Sequence, residues 1–152
     1  MNGVLLLRTA SKTAHLRPFL EEMLDTIWRL KKRVAVAVWS SMAEWNLLPL
    51  VEQAFGSRAE DLLFVWDQKF CTERMVPGMR KPLLRKDLVK IRSSPWATFV
   101  PDRVLLIDDD PIKCTQNPPG TAIHPSKWAG SSDDVELLRL SGYVEALATS
   151  AK

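Results

Sequence analysis

A three-layer α/β fold with a central, mainly parallel sheet is what this sequence predicts, on three observations. Short unbroken apolar runs, "VAVAVW" at 34–39, "LLFVW" at 62–66 and "VLLI" at 104–107, are too short for buried helices and lack the alternation of a half-wet strand. They read as strands covered on both faces. Amphipathic stretches separate them, giving the strand–helix alternation of βαβ units. Each run also ends in polar residues, Ser40 and Ser41, then Asp67, then Asp108, Asp109 and Asp110. In an open parallel sheet the loops beyond the strand C-termini line the binding crevice.

The elements follow in chain order. Residues 17–32 predict a helix, with Phe19, Leu20, Met23, Leu24, Ile27 and Trp28 on one face and Pro18 in the first turn. Its early acids (Glu21, Glu22, Asp25) and late bases (Arg29, Lys31, Lys32) suit the helix dipole. The strand at 34–39 comes next, then a helix in "SSMAEWNLLPLVEQAF". There Ser41 is a candidate N-cap, Trp45, Leu48 and Val51 lie to one side, Pro49 kinks or splits the helix and Gly56 stops it. After the strand at 62–66, residues 69–86 predict a basic loop broken by "VPGMRKP". "LLRKDLVKIR" predicts a short helix, and "SSPWATFVP" leads into the strand of "DRVLLIDDD". "TAIHPSKW" is a brief strand and turn. "SSDDVELLRLSGYVEALA" closes the chain as a helix carrying Val135, Leu137, Leu138, Leu140, Val144 and Leu147.

The 152 residues, 46% of them hydrophobic, suffice for one core, so a single domain over 1–152 is expected. The net charge of +3 comes from scattered bases, which argues against nucleic acid as a direct partner. No apolar run approaches the roughly 20 residues that span a bilayer. Cys71 and Cys114 lack a second Cys or a His at metal-ligand spacing and read as reduced structural thiols, as is usual inside cells. The first twenty residues hold Arg8, Lys12 and Arg17 and no acid, a composition shared with mitochondrial transit peptides. His15 and His124 stand alone and read as surface or packing histidines. The tryptophans read as core, with Trp39 and Trp66 also placed to line a pocket.

The carboxylate cluster carries the chemistry. Asp110, before Pro111, reads as a turn residue and helix N-cap. Asp108 and Asp109 are adjacent like charges, which resist joint ionisation unless a cation or several donors compensate. A hard cation such as Mg²⁺ is the natural compensator. From the residues alone, a metal or catalytic role and a turn-making role stay open. Lys81, one of many nearby bases, reads by itself as a solvated loop charge.

The segments "RPFLEEML", "VAVWSS", "LLFVWDQKFCT", "RKPLLRKDL" and "VLLIDDDPIKCTQNPPGTAIHP", in this order, resemble the NLI-interacting-factor-like domain of the RNA polymerase II C-terminal-domain phosphatases. That group belongs to the haloacid dehalogenase superfamily. The resemblance covers residues 17–148 and implies the three-layer fold of that superfamily. It also implies Mg²⁺-dependent phosphoryl transfer from a phosphoserine or phosphothreonine protein or peptide to an aspartate, followed by hydrolysis. In that chemistry a metal and donors offset the charge of the nucleophile and the phosphate. The resemblance makes Ser40 the hydroxyl that holds the phosphoryl group, Lys81 the neutralising lysine and Asp109 a metal carboxylate, with Asp108 beside it in the metal site.

Residues 1–16 resemble the tail of the family's first motif and the loop after it. Asn2 stands where that motif has its second, proton-donating aspartate. An asparagine has no titratable proton to give a leaving group. The attacking aspartate and the first strand are expected before Met1. The chain is therefore expected to be inactive by itself, as a truncated form or as a non-catalytic descendant. The alternative within the same fold is a binding module such as the presequence-handling subunit of the mitochondrial inner-membrane translocase. A nuclear or cytoplasmic location goes with the first reading and a mitochondrial one with the second.

Overall fold

The computed structural model describes residues 1–10, 13–98 and 103–150. The chain divides into two compact units. One comprises Met1–Val38, Leu48–Val65 and Ser126–Lys152, the other Trp39–Leu47 and Trp66–Pro125.

In the first unit a short hairpin comes first. Strands β1 (Leu6–Arg8) and β2 (Ala14–Leu16) pair antiparallel, with Leu6 opposite Leu16. Helix α1 (Leu20–Arg29) follows and buries Leu20, Met23, Leu24 and Ile27, the i, i+3, i+4, i+7 stripe expected from the sequence. Phe19 stands outside that stripe. It takes a left-handed backbone (φ 64°) ahead of the helix and is partly exposed. The C-terminal helix α4 (Glu136–Ser150) packs on α1. Its buried side is Leu137, Leu140, Ser141, Val144 and Ala148, whereas Val135, Leu138 and Leu147 face out. Each fully buried leucine contributes about 1.5–3 kcal/mol. Arg33 donates to the Ala148 carbonyl at 3.1 Å, placing a cation near the helix C-terminus.

Strands β3 (Val38–Trp39) and β4 (Val65–Trp66) pair. Their bonds advance in step: Leu63 N–H to Val36, Val38 N–H to Phe64 and Ser40 N–H to Trp66, at 2.7, 3.0 and 2.8 Å. That progression is a parallel ladder, as their apolar character predicts. Helix α2 (Glu44–Phe55) is continuous through Pro49. Its buried residues are Leu47, Leu50, Val51, Ala54 and Phe55. Trp45, 74% exposed, and Leu48 lie on its outer side, correcting the expected apolar face. Pro49 is tolerated there because the carbonyl that loses its helical donor belongs to this exposed Trp45.

In the second unit β5 (Thr72–Arg74) and β6 (Leu83–Arg85) form an antiparallel hairpin. The sequence pattern predicts a loop over β5 and a helix over β6. Cross-strand bonds overrode a helix signal under three turns long, too short to hold by itself, and what remains of that helix is the single turn of α3 (Val89–Arg92). Strands β7 (Leu106–Ile107) and β8 (Ala122–Ile123) pair parallel. The approach to β7, "SSPWATFVP", falls partly outside the described residues. The α/β character holds, with the described strands paired two by two in four short sheets. No described helix is long and apolar enough to cross a membrane.

Candidate functional site

The second unit gathers the polar residues that end the apolar strands. Ser40 follows β3, Asp67 follows β4 and the aspartate cluster follows β7. Asp108 is 4% exposed, and its Oδ2 accepts a charge-assisted hydrogen bond from Nζ of Lys86, which is 3% exposed. Its Oδ1 accepts from the Asp110 N–H at 2.9 Å. Burial alone would push the Asp108 carboxyl up. The Lys86 ammonium, by charge and hydrogen bond, outweighs burial and holds it below the usual carboxylate range. The Asp108 main chain is tied to β8: its N–H bonds Ile123, and its carbonyl lies 2.8 Å from His124 Nδ1.

Lys86 is held as firmly as its partner. Its N–H donates to the Lys113 carbonyl at 2.8 Å. Asn117 spans the residues around it, with Nδ2 donating to the Lys86 carbonyl and Oδ1 accepting from the Leu88 N–H, both at 2.8 Å. One side-chain amide thus fixes the backbone on both sides of Asp87. Replacing Asn117 with alanine is expected to lower the unfolding free energy by about 1–3 kcal/mol, the cost of stranding part-buried backbone groups. Urea denaturation measures this, and an unchanged midpoint would exclude the amide as the clamp.

Cys71, just before β5, bonds to Ser40 and to Lys90. Its thiol lies 3.8 Å from the Ser40 carbonyl, to which it donates, and its own carbonyl accepts from Lys90 at 3.0 Å. Burial pushes the Cys71 thiol up, and the positive charge of nearby Lys86 works against that rise. The Ser40 Oγ accepts from the Met42 N–H at 3.1 Å, which leaves its own hydrogen to donate. Cys114 is pushed up to about 11, first by burial and then by the Asp108 charge, so it stays a neutral thiol. Both cysteines are free and buried. Beside Ser40, Trp39 meets Trp66 edge-on at 5.0 Å, and Trp66 stacks on Phe70 at 4.7 Å.

The remaining sequence candidates are placed as follows. Asp110 caps the short 3₁₀ turn Pro111–Cys114, accepting from the Ile112 N–H, as expected. Asp109 is half-buried, and its carboxylate has no hydrogen bond or ion pair among the described residues. Lys81 is exposed in the loop between β5 and β6, so the lysine that meets the carboxylate cluster is Lys86 instead. Both lysines follow an arginine within "RKPLLRKDL", and what separates them is that Lys86 directly follows strand β6 whereas Lys81 lies in the loop before it. Asn2 belongs to the first unit, where its Oδ1 accepts from the Arg8 N–H at 2.9 Å.

Among the described residues no three His, Cys, Asp or Glu side chains cluster as a metal site. The fit to Mg²⁺ is therefore partial. Asp109 offers an open hard-oxygen ligand, whereas both oxygens of Asp108 are engaged. Mg²⁺ is commonly held by one or two carboxylates with water and substrate phosphate completing its shell, a part Asp109 suits.

A family model described as NLI interacting factor-like phosphatase matches residues 5–152. The chain belongs to this family. A search of curated proteins found no match. As an NLI interacting factor-like phosphatase domain, it carries its buried lysine–aspartate pair inside the matched region.

Proposed function

We propose that the second unit is the phosphoryl-binding site of a Mg²⁺-dependent phosphoserine or phosphothreonine phosphatase-like domain. The observation that carries this reading is the buried Lys86–Asp108 pair set beside the unengaged carboxylate of Asp109. Lys86 takes the neutralising role that the family resemblance implied for Lys81, and Asp108 holds its Nζ in place. The Ser40 hydroxyl donates to a phosphoryl oxygen. Asp109 would hold the metal, which supplies positive charge to the phosphate when bound. None of these residues is an attacking aspartate, and Asn2 offers no proton to a leaving group. The 152 residues by themselves therefore bind a phosphorylated peptide and turn it over little or not at all.

Titration calorimetry with a phosphoserine peptide and its unphosphorylated form, in Mg²⁺, tests this. The phosphorylated form is expected to bind at least tenfold tighter, and Ser40→Ala to remove about 1–3 kcal/mol of that preference. Equal binding of the two forms would refute the site. Turnover of p-nitrophenyl phosphate that is abolished by Asp109→Asn would instead refute the claim that these residues are inactive alone.

A further inference from the structure

The β5–β6 hairpin grows directly from the candidate site. Thr72 pairs with Arg85, so Cys71, beside Ser40, and Lys86, beside Asp108, stand at its root. Its tip is a built turn: Pro77 and Gly78 (φ 84°) close it, and the Met79 N–H bonds the Val76 carbonyl at 3.0 Å. The tip leaves Arg74, Arg80 and Lys81 exposed, with Glu73 as the opposing charge, and none of the three cations makes an ion pair among the described residues. Between them Met75 and Met79 are 65% and 46% exposed. Such an arrangement attracts anions while its flexible thioethers adapt to apolar side chains.

We propose that this hairpin docks the acidic flank of a peptide whose phosphorylated residue sits at Ser40 and Lys86, so that the domain selects substrates by a second negative charge. This rests on the phosphoryl-binding reading above and adds a substrate class to it. Arg74 ends β5 three positions after Cys71, about 10 Å at roughly 3.3 Å per residue of extended chain. An extended peptide covers that distance in about three residues, which places the acidic group three or four positions from the phosphorylated one.

Fluorescence anisotropy with the 152-residue chain at low salt tests the proposal. The probes are phosphoserine peptides carrying aspartate, or serine, at the third and fourth positions on either side. Aspartate on one side is expected to tighten binding about tenfold, the sum of a few exposed ion pairs. The surface variant R74S/R80S/K81S should lose that gain while keeping the affinity for the serine-flanked peptide. Equal affinity for both flanks, or a gain that survives in the variant, overturns the proposal while leaving the phosphoryl site standing. So does displacement of the peptide by an equally charged single-stranded oligonucleotide at equal or lower concentration, which would mark a nucleic-acid surface. If no phosphopeptide binds, the phosphoryl reading fails separately. The unphosphorylated aspartate peptide then decides: binding lost in the variant supports the hairpin's role, and absence of binding refutes it.

Discussion

Arg17→Met is expected to lower the unfolding free energy by about 3–5 kcal/mol, the range for breaking a buried ion pair by removing one partner. Arg17 is 1% exposed and holds three segments of the first unit together. Its Nε and Nη2 grip both oxygens of Asp134 at 2.7 Å, Nη1 donates to the Gly3 and Val4 carbonyls, and Nη2 reaches the Ser126 carbonyl at 3.0 Å. Methionine fills most of the volume but strands the Val4 and Ser126 carbonyls and leaves the buried side of the Asp134 carboxylate without its cation, while the Gly3 carbonyl keeps the Trp128 N–H. Lysine keeps the charge without the planar fork, so Arg17→Lys should fall between wild type and Arg17→Met.

The same pair sets an acid limb. The Arg17 hydrogen bond, against the opposing effect of burial, holds the Asp134 carboxyl below its ordinary value. A depressed carboxylate adds stability that is present above its unfolded value, about 3.9, and is lost as pH falls through the folded value. Urea midpoints between pH 6 and pH 2 should therefore fall less steeply below about pH 4 in Arg17→Met than in wild type. Parallel acid limbs, or a loss under about 1 kcal/mol at neutral pH, would show that the fork stabilises little.

The second large effect is expected at Lys86. Lys86→Met leaves the Asp108 charge buried with the Asp110 N–H and the more distant Lys113 as its compensation. A loss of about 3–5 kcal/mol is expected, and the freed effect of burial should raise the Asp108 carboxyl. Adding Asp108→Leu removes the stranded charge and should recover most of the stability, since a buried ion pair and an apolar pair of similar volume are often equivalent. That folded double variant separates structure from function. It should melt near wild type in calorimetry yet lose its preference for a phosphorylated peptide. If the preference persists, Lys86 is a packing residue and not the phosphate partner.

Much of this was legible in the sequence because it is local. The 3–4 spacing of Leu20, Met23, Leu24 and Ile27 records the face that α1 buries. The apolar runs ending at Trp39 and Trp66 record strands in a parallel ladder, and Asp110 before Pro111 records a capped turn. Other features depend on partners far along the chain. Leu83–Arg85 is a strand only because Thr72–Arg74 lies beside it. Trp45 looks like core at helical spacing yet faces outward, because burial depends on where neighbouring elements pack. Lys81 and Lys86 have nearly the same local surroundings. What distinguishes them is Asp108, 22 positions from Lys86, and Asn117, 31 positions away. By itself the sequence determined the family, the main helices and the cluster in which the chemistry resides. Which lysine meets that cluster was decided by tertiary structure alone, because a buried charge is stable only where the folded chain brings it an opposite charge and fixes both backbones.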